Sequence, residues 1–206
     1  MDIPRRGSPV IVSAPSGGGK TTICRRAISE LDDVEFSVSH TTRPPRGHER
    51  DHVDYVFVDD ARFDAMVSDG LFLEWAKVHG HRYGTARSTV EQRLDQGTDI
   101  LFDIDVQGGR QIADRIPDAV LVYVLPPSME VLTTRLKGRA SDSPDVIARR
   151  LAAAQDEIKS ATFYTHWIIN DDLDEAVAAL RSILIAERHK RYSRSALIES
   201  VLGSTR

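Results

Sequence analysis

This sequence has a single cysteine, no long apolar run and no excess of positive charge. Cys24 is the only cysteine among 206 residues, so no intrachain disulfide can form, which agrees with a reducing compartment. We expect it in the core of the first helix; the alternative, a reactive thiol, rests on its neighbours Arg25 and Arg26. No apolar run approaches the roughly 20 residues that cross a bilayer, and the N-terminal run is too short for a secretory signal. We therefore expect a cytoplasmic protein with no membrane partner.

The charge balance is slightly acidic. Lys and Arg number 27 against 31 Asp and Glu, which gives a formal net charge of −4. A dedicated nucleic-acid binder carries a basic excess, so we expect no nucleic-acid partner, and any polyanionic ligand must meet local arginines. With 41% hydrophobic and 28% charged residues, the composition is that of a globular protein, and the length favours one domain with appendages.

The stretch VIVSAPSGGGKTT, residues 10–22, contains the parts of a phosphate-binding loop. A strand, glycines, a lysine, a hydroxyl and a helix follow one another as in the pattern G-x-x-x-x-G-K-[ST], except that Ala14 replaces the first glycine. In such a loop, backbone N–H groups and a helix N-terminus point at phosphates. Lys20 would reach the β- and γ-phosphates of a nucleotide, and the Thr21 hydroxyl would bind Mg²⁺. The predicted nucleotide-binding residues are Ala14, Pro15, Ser16, Gly17, Gly18, Gly19, Lys20, Thr21 and Thr22.

The apolar pattern predicts an α/β fold. Near-continuous apolar strands alternate with helices, which indicates a mainly parallel central sheet covered by helices on both faces. The segment 36–85 has less apolar strands, DYVFV and LFLEWAKV, around a helix DDARFDAMVSDG, and is expected to form a small antiparallel insertion. We expect one domain, with a core at about 8–35, 86–127 and 160–193 and a tail at 194–206 that can fray.

Two carboxylates occur in DILFDIDV, which is predicted to be a buried strand. Asp103 and Asp105 are two residues apart, so on a strand their side chains would share a face near the carboxyl end, where open α/β sheets bind ligands. Adjacent buried carboxylates repel unless a metal or arginines are close, so this pair supports a ligand site at the phosphate loop. A structural ion pair for one of them is the alternative.

The polar loop SVSHTTRPPRGHERDHVDY offers a second anion site. Arg43 and Arg46 lie three residues apart on a loop stiffened by two prolines, with hydroxyls at Ser39 and Tyr55. Guanidinium groups suit bidentate phosphate binding, and the prolines reduce the entropy lost when the loop is ordered. A solvated charged loop is the alternative interpretation.

Further arginines lie on two predicted helices joined by a short polar hinge. Arg135 and Arg139 are four residues apart and share a helix face, and Arg149 and Arg150 follow on the next helix. This arrangement suggests a mobile lid, whereas solvated helix surface is the alternative.

Taken together, these segments resemble guanylate kinase from about Pro9 to Ala186. The resemblance rests on the order and spacing of SAPSGGGKTT, SVSHTTRPPRGHERDHVDYVFV, FLEWAKVHGHRYGT, ILFDIDVQGG, RLAAAQDEI and IINDDLDEA. It implies a P-loop nucleotide-kinase fold with a GMP-binding region at about 36–85 and a helical lid at about 128–159. It also implies that ATP and GMP are the partners, with Mg²⁺ as the cofactor, and that the γ-phosphate of ATP passes to GMP.

The resemblance also assigns residues to sites. For GMP it implies Ser39, Arg43, Arg46, Tyr55, Glu74, Tyr83, Thr85 and Asp105. For catalysis it implies Lys20, Arg43 and the lid arginines Arg135, Arg139 and Arg150. It places Asn170 near the adenine or its ribose, and Asp103 on Mg²⁺ through water.

The guanine assignment also makes chemical sense. A carboxylate such as Glu74 can accept from both N1–H and the 2-amino group of guanine, and the Thr85 hydroxyl can donate to O6, whereas adenine reverses that pattern. The sequence departs from the family at Thr85, where serine is common, at His52, near which the family often has glycine, and at Ala14. A positive φ at Ala14 would cost on the order of 1 kcal/mol.

Other functions share parts of this pattern. Scaffold domains of the same fold bind phosphorylated peptides, but they generally lack a working phosphate loop, which Lys20 and Thr21 complete here. A kinase acting on another small phosphate ester is the nearest enzymatic alternative. Pairs of histidines, such as His79 with His81, lack the companions of a zinc site. An amphipathic last helix suits either a monomer or a homodimer.

Overall fold

The computed structural model of the chain describes residues 5–78, 80–138, 144–190 and 195–202. The strands are β1 (Pro9–Ser13), β2 (Val34–Phe36), β3 (His40–Thr41), β4 (Val56–Phe57), β5 (Phe72–Val78), β6 (His81–Ala86), β7 (Asp99–Asp103), β8 (Val120–Leu125) and β9 (His166–Ile169). The helices are α1 (Lys20–Glu30), α2 (Asp60–Ser68), α3 (Arg87–Asp95), α4 (Val106–Arg115), α5 (Met129–Lys137), α6 (Pro144–Lys159), α7 (Leu173–Arg188) and α8 (Ser195–Leu202).

The central sheet is parallel, with strand order β2-β7-β1-β8-β9. Every residue of β1 is buried, because helices cover both faces of the sheet. Val10 and Val12 pack with α1 and α7 on one face, while Ile11 packs with α3 and α4 on the other. The α/β fold that the sequence predicts is confirmed.

A second, smaller sheet lies between β2 and α3 in sequence, with strand order β4-β3-β6-β5. Its β5–β6 and β3–β6 pairs are antiparallel, and only the short β3–β4 pair is parallel. Sequence reasoning found the region and β5, but not β3 or β6. These strands are short or polar, HT and HRYGTA, so no apolar alternation marks them.

The chain after β8 forms a helical pair on one end of the central sheet. Leu132 and Leu136 of α5 pack against Ala154 of α6, and all three are fully buried. Near the C-terminus the structure describes α8, a helix at residues 195–202, where the sequence suggests a tail. Within the described ranges, no helix is both long and apolar enough to span a membrane.

Cys24 lies in the core of α1 with none of its surface exposed. Burial, with a smaller contribution from the negative charge of Asp103, raises the pKa of the thiol to about 12. The thiol therefore stays protonated at neutral pH, so the reactive-thiol alternative fails and Cys24 is a packing residue.

Candidate functional site

The phosphate loop lies between β1 and α1, at the carboxyl edge of the central sheet. Gly17 and Gly19 have φ values of 87° and 90°, in the left-handed region that favours glycine. Gly19 is also the residue before α1, and a β-carbon there would collide with the side-chain amide of Asn170. The glycines thus allow the loop both its turn and its close contact with Asn170.

Ala14 does not strain this loop. Among the non-glycine residues that the structure describes, only Asp33 and His52 have positive φ, so Ala14 has the negative φ that a side chain adopts readily. The departure from the family pattern at this position therefore has no cost in backbone conformation. The positive φ at His52, in contrast, falls where the family often has glycine.

Lys20 and Thr21 converge on the end of β7. The Lys20 ammonium lies 2.7 Å from Asp103 Oδ1 and donates to the Ile104 carbonyl at 2.7 Å. The Thr21 hydroxyl donates to Asp103 Oδ2 at 2.7 Å. Because β7 is the neighbour of β1, the parallel sheet brings the lysine, hydroxyl and carboxylate together across more than 80 residues of sequence.

The expectation that Asp103 and Asp105 share a strand face is wrong. The strand ends at Asp103, and Asp105 is the N-cap of α4, where its carboxylate accepts from the Gly108 N–H at 2.8 Å. Aspartate is a preferred N-cap because its side chain satisfies an N–H group that the helix leaves free. Asp105 therefore belongs to the start of α4, and its negative charge adds to the raised pKa of Glu74.

Asn170 and Arg135 support the phosphate loop from outside. The buried Asn170 amide donates to the Gly18 carbonyl at 2.8 Å, and Arg135 donates through Nη2 to the Asn170 carbonyl at 2.8 Å. Arg135 Nη1 is buried without an acceptor among the described residues, so this nitrogen retains its capacity to donate. The placement of Asn170 near an adenine stays a prediction.

Arg43 lies on the second sheet's side of the cleft, with only 5% of its surface exposed. Its guanidinium donates to Glu49 Oε1 at 2.8 Å, to the Tyr83 hydroxyl at 3.2 Å and to the Pro44 carbonyl at 2.7 Å. The Glu49 hydrogen bond contributes most to raising the pKa of Arg43, and the same contact lowers the pKa of Glu49. Arg43 therefore stays charged and is held in one orientation.

Glu49 was missed by sequence reasoning. Its second oxygen accepts from the Arg46 backbone N–H at 2.8 Å, so one carboxylate holds both the Arg43 guanidinium and the turn before Arg46. The sequence contains a clue, since a glutamate three residues after Arg46 in a proline-rich loop suits such a turn. The Arg46 side chain itself is exposed.

Two tyrosines contact the Arg43 side chain, and a serine lies near Thr85. The Arg43 guanidinium carbon lies 5.2 Å from the centre of the Tyr55 ring, and the Tyr55 and Tyr83 rings pack edge to face. Ser39 Oγ lies 3.5 Å from the Thr85 hydroxyl. The structure thus brings Tyr55 and Tyr83 to Arg43, and Ser39 to Thr85, from separate segments of the chain.

Glu74 and Thr85 face each other across the β5–β6 pair. The Thr85 hydroxyl donates to Glu74 Oε1 at 2.7 Å, and both residues are buried. Burial raises the pKa of Glu74; the Thr85 hydrogen bond opposes that rise and the charge of Asp105 adds to it. A buried carboxylate with a single side-chain donor is suited to bind a ligand that carries hydrogen-bond donors.

Two cavities join the two halves of the site. One of about 250 Å³ is lined by Ser39, Tyr55, Glu74, Tyr83 and Asp105. The other, of about 690 Å³, extends from there to Thr21 and Asp103 at the phosphate loop. Both cavities are lined by Ser39, Tyr55 and Asp103. The two cavities therefore adjoin, and together they extend from the second sheet to Thr21 and Asp103 beside the phosphate loop.

Arg25 also lines the larger cavity, on α1 one turn after Thr21. Sequence reasoning considered it only as a neighbour of Cys24, although its spacing of four residues from Thr21 places both on one helix face.

The predicted lid arginines are only partly within the structure. Arg135 contacts the Asn170 carbonyl, as described above, and Arg149 and Arg150 lie on α6. Arg139 lies outside the described residues, as does His79.

A phosphate loop at the carboxyl edge of a parallel sheet, with a smaller sheet beside it, defines a P-loop protein of the nucleotide-kinase class. The family model described as "Guanylate kinase" matches residues 6–187, and the chain belongs to the guanylate kinase family.

Relatives agree with this assignment over almost the whole chain. The guanylate kinase of Rhodospirillum rubrum is 50% identical over 97% of this chain and 92% of its own length. That of Sphingopyxis alaskensis is 51% identical over 94% of this chain and 89% of its own length. The crystal structure of guanylate kinase from Anaplasma phagocytophilum matches with a TM-score of 0.74 and 31% identity, covering 97% of this chain and 96% of that one.

Proposed function

We infer that this protein is an ATP:GMP phosphotransferase, which transfers the γ-phosphate of ATP to GMP to give ADP and GDP. The observation that carries this inference is the pair of adjoining cavities, which run from Thr21 and Asp103 at the phosphate loop to a pocket lined by Glu74 and by Tyr83. The Tyr83 hydroxyl in turn accepts a hydrogen bond from Arg43. Membership of the guanylate kinase family supports it.

The phosphate loop, residues 14–22, is the proposed donor site. Its backbone N–H groups and the N-terminus of α1 would bind the phosphates of ATP, with Lys20 on the β- and γ-phosphates. Lys20 pairs with Asp103 and donates to the Ile104 carbonyl, so its ammonium is held beside the loop. Asn170 is proposed near the adenine or ribose.

The pocket on the second sheet is the proposed acceptor site. Arg43, Arg46, Ser39, Tyr55 and Tyr83 would hold the phosphate of GMP. Glu74 would accept from guanine N1–H and the 2-amino group and Thr85 would donate to O6, with Asp105 nearby. Each buried polar group left unpaired by the wrong base costs about 1–3 kcal/mol, so together they would reject AMP strongly.

Transfer itself needs positioning and charge stabilisation rather than a general base. The acceptor phosphate has a second pKa of about 6, so its oxygen is mostly deprotonated at neutral pH. Lys20, Arg43, Arg135, Arg139 and Arg150 are the proposed cations that offset charge as the phosphates approach. The buried Arg135 Nη1 is one donor whose capacity is unused among the described residues.

The Thr21 hydroxyl and the Asp103 carboxylate fit Mg²⁺, since they are adjacent oxygen ligands beside the phosphate loop. We propose that Thr21 binds the ion directly and Asp103 through water. When bound with ATP, Mg²⁺ neutralises phosphate charge during transfer.

The division of the single domain follows from these roles. We propose that about 36–85 binds GMP and about 128–159 is the lid, on a core of about 8–35, 86–127 and 160–193. Lid closure would exclude water and so favour transfer to GMP over hydrolysis of ATP.

A substrate panel tests this function. ADP release from ATP and Mg²⁺ would be measured with no acceptor, with GMP, with other nucleoside monophosphates and with ribose 1,5-bisphosphate. We expect release to depend on GMP, and Glu74→Ala to lose the preference for GMP. Glu91→Ala, on the exposed side of α3, is the control and should retain it. An unchanged GMP preference in Glu74→Ala would defeat the guanine assignment, and release without GMP would defeat the transferase.

A further inference from the structure

Glu157 is a carboxylate of α6 that contacts the phosphate loop. Its Oε2 accepts from the backbone N–H of Ser16 at 3.1 Å, a hydrogen bond between residues 141 positions apart. A hydrogen bond from a backbone N–H to an ionised carboxylate is about twice as strong as one between neutral groups. Glu157 is therefore placed to fix the first half of the loop.

The packing around this bond makes the loop and the two helices α5 and α6 one unit. Ala154, one turn before Glu157, packs against Leu132 and Leu136 of α5. The same two leucines cover Gly17, where an added β-carbon would lie 3.1 Å and 3.0 Å from their methyl groups. The Glu157 bond thus joins two surfaces that already touch, at the residue before Gly17.

The negative charge of Glu157 indicates that its hydrogen bond to Ser16 does more than fill space. A carboxylate beside a loop that binds phosphates repels the nucleotide, so an uncharged residue would serve better if the side chain only filled space. Glu157 also lies near the buried Tyr123, whose pKa it helps to raise after the larger effect of burial. A half-buried charge in this place needs a compensating partner, and Ser16 N–H is the one the structure gives it.

We propose that Glu157 is a positioning residue for the donor site, holding the phosphate loop through Ser16 N–H and fixing the end of α6 to it. This deepens the proposed function, on which it rests. Arg150 lies seven residues earlier, two turns along the same side of α6, so the bond would also fix the base of the helix that carries this lid arginine. Without the bond, ATP would have to order the loop as it binds.

The test compares substitutions at Glu157 with one at its neighbour. Glu157→Ala removes the acceptor, Glu157→Gln keeps an oxygen acceptor, and Asp156→Ala is the control, since Asp156 is exposed and pairs with Lys159 on the same helix. The readouts are KM for ATP and for GMP, ADP affinity by calorimetry and the thermal unfolding midpoint.

We expect Glu157→Ala to raise KM for ATP and Kd for ADP about tenfold, while KM for GMP changes less than about twofold. Glu157→Gln should remain within about threefold of wild type, and Asp156→Ala should match wild type. A purely structural role would not separate ATP from GMP in this way.

Three results would overturn the proposal: unchanged ADP affinity in Glu157→Ala, equal losses for both nucleotides, or a Glu157→Gln variant as weak as Glu157→Ala. If Glu157→Ala does not fold, Glu157→Asp replaces it, since the shorter side chain withdraws the acceptor from Ser16, and normal ADP affinity there would also refute the role. Wild-type protein that binds ADP but shows no GMP-dependent ADP release would refute the proposed function instead. The ADP titrations of the variants would still test whether Glu157 positions the phosphate loop.

Discussion

Glu74 is a single residue whose proposed role in binding a base comes at the expense of stability. Its side chain is buried on β5, and its pKa is raised above the usual value of 4.5 mainly because burial disfavours the charged form. Thr85 offsets only part of this effect with one hydrogen bond. In the proposed complex, guanine would supply the missing donors.

We predict that Glu74→Gln makes the free protein more stable at pH 7 while weakening GMP binding about tenfold or more. Since the folded pKa of Glu74 lies above the unfolded one, the ionised side chain destabilises the fold at neutral pH. That destabilisation fades as the pH falls through the folded pKa towards 4.5, so the gain in unfolding free energy should fade with it.

Urea unfolding of wild type and Glu74→Gln at several pH values would measure this, with Glu91→Gln on the surface of α3 as the control. A variant that is less stable than wild type at pH 7, or a difference that does not change with pH, would contradict the account of Glu74.

His52 shows the cost of one departure from the family pattern. It has a φ of 60°, although it carries a side chain and is not a glycine. Its N–H donates to the Tyr55 carbonyl at 2.8 Å, so the turn before Tyr55 requires this conformation. A side chain in the left-handed region costs roughly 1–2 kcal/mol.

We therefore expect His52→Gly to raise the free energy of unfolding by about 0.5–1 kcal/mol, because glycine adopts positive φ without steric conflict. His48→Gly is the matched control: it lies in the same exposed loop, but its φ is not positive, so glycine there only adds freedom to the unfolded chain. Chemical denaturation would measure the free energy of unfolding of both variants. If His52→Gly is no more stable than His48→Gly, the backbone at His52 is not strained.

Among the secondary-structure elements, Asp99 joins the start of β7 to the segment before β1 and to the end of α7. It is fully buried and lies 2.8 Å from Arg5, which precedes β1, and 2.7 Å from Arg188, at the end of α7. It also accepts from the Ser8 N–H at 2.8 Å. Three elements therefore depend on one carboxylate, on the side of the sheet away from the phosphate loop.

Removing that carboxylate leaves two guanidiniums facing a buried gap, so Asp99→Ala should lower the free energy of unfolding by about 3–5 kcal/mol. Asp95→Ala breaks only the exposed pair with Arg6 and should cost less than about 1 kcal/mol. Urea titrations would measure both free energies of unfolding. Equal losses in the two variants would mean that the buried Asp99 stabilises the fold no more than an exposed ion-pair partner does.

Sequence patterns predicted the elements where burial decides them. The near-continuous apolar runs of β1, β7 and β8 and the acidic cap of α2, where Asp59 accepts from the Arg62 N–H, were found in this way. Asp105 was misplaced because an aspartate two residues after Asp103 fits a strand face and a helix N-cap equally well, and only the end of β7 separates the two.

The fold of the complete domain brings the phosphate loop and the pocket of Glu74 to two adjoining cavities. The family resemblance predicted the residues near Arg43 and Glu74. In the structure Tyr55 and Tyr83 contact Arg43, and Thr85 donates to Glu74. Glu49 and Glu157 were missed, the second because it meets Ser16 only after the chain has folded through 141 residues. Local patterns carry little information about such contacts, since a lone glutamate in a loop or helix is usually solvated.

The most direct test of the account is a crystal structure with GMP and a non-hydrolysable ATP analogue bound together. It should place the GMP phosphate at Arg43, Arg46 and Tyr55, with the guanine edge on Glu74 and Thr85. The γ-phosphate should lie beside Lys20, in line with the attacking oxygen of GMP. GMP bound outside the pocket of Glu74, with its phosphate turned away from the phosphate loop, would contradict the central claim.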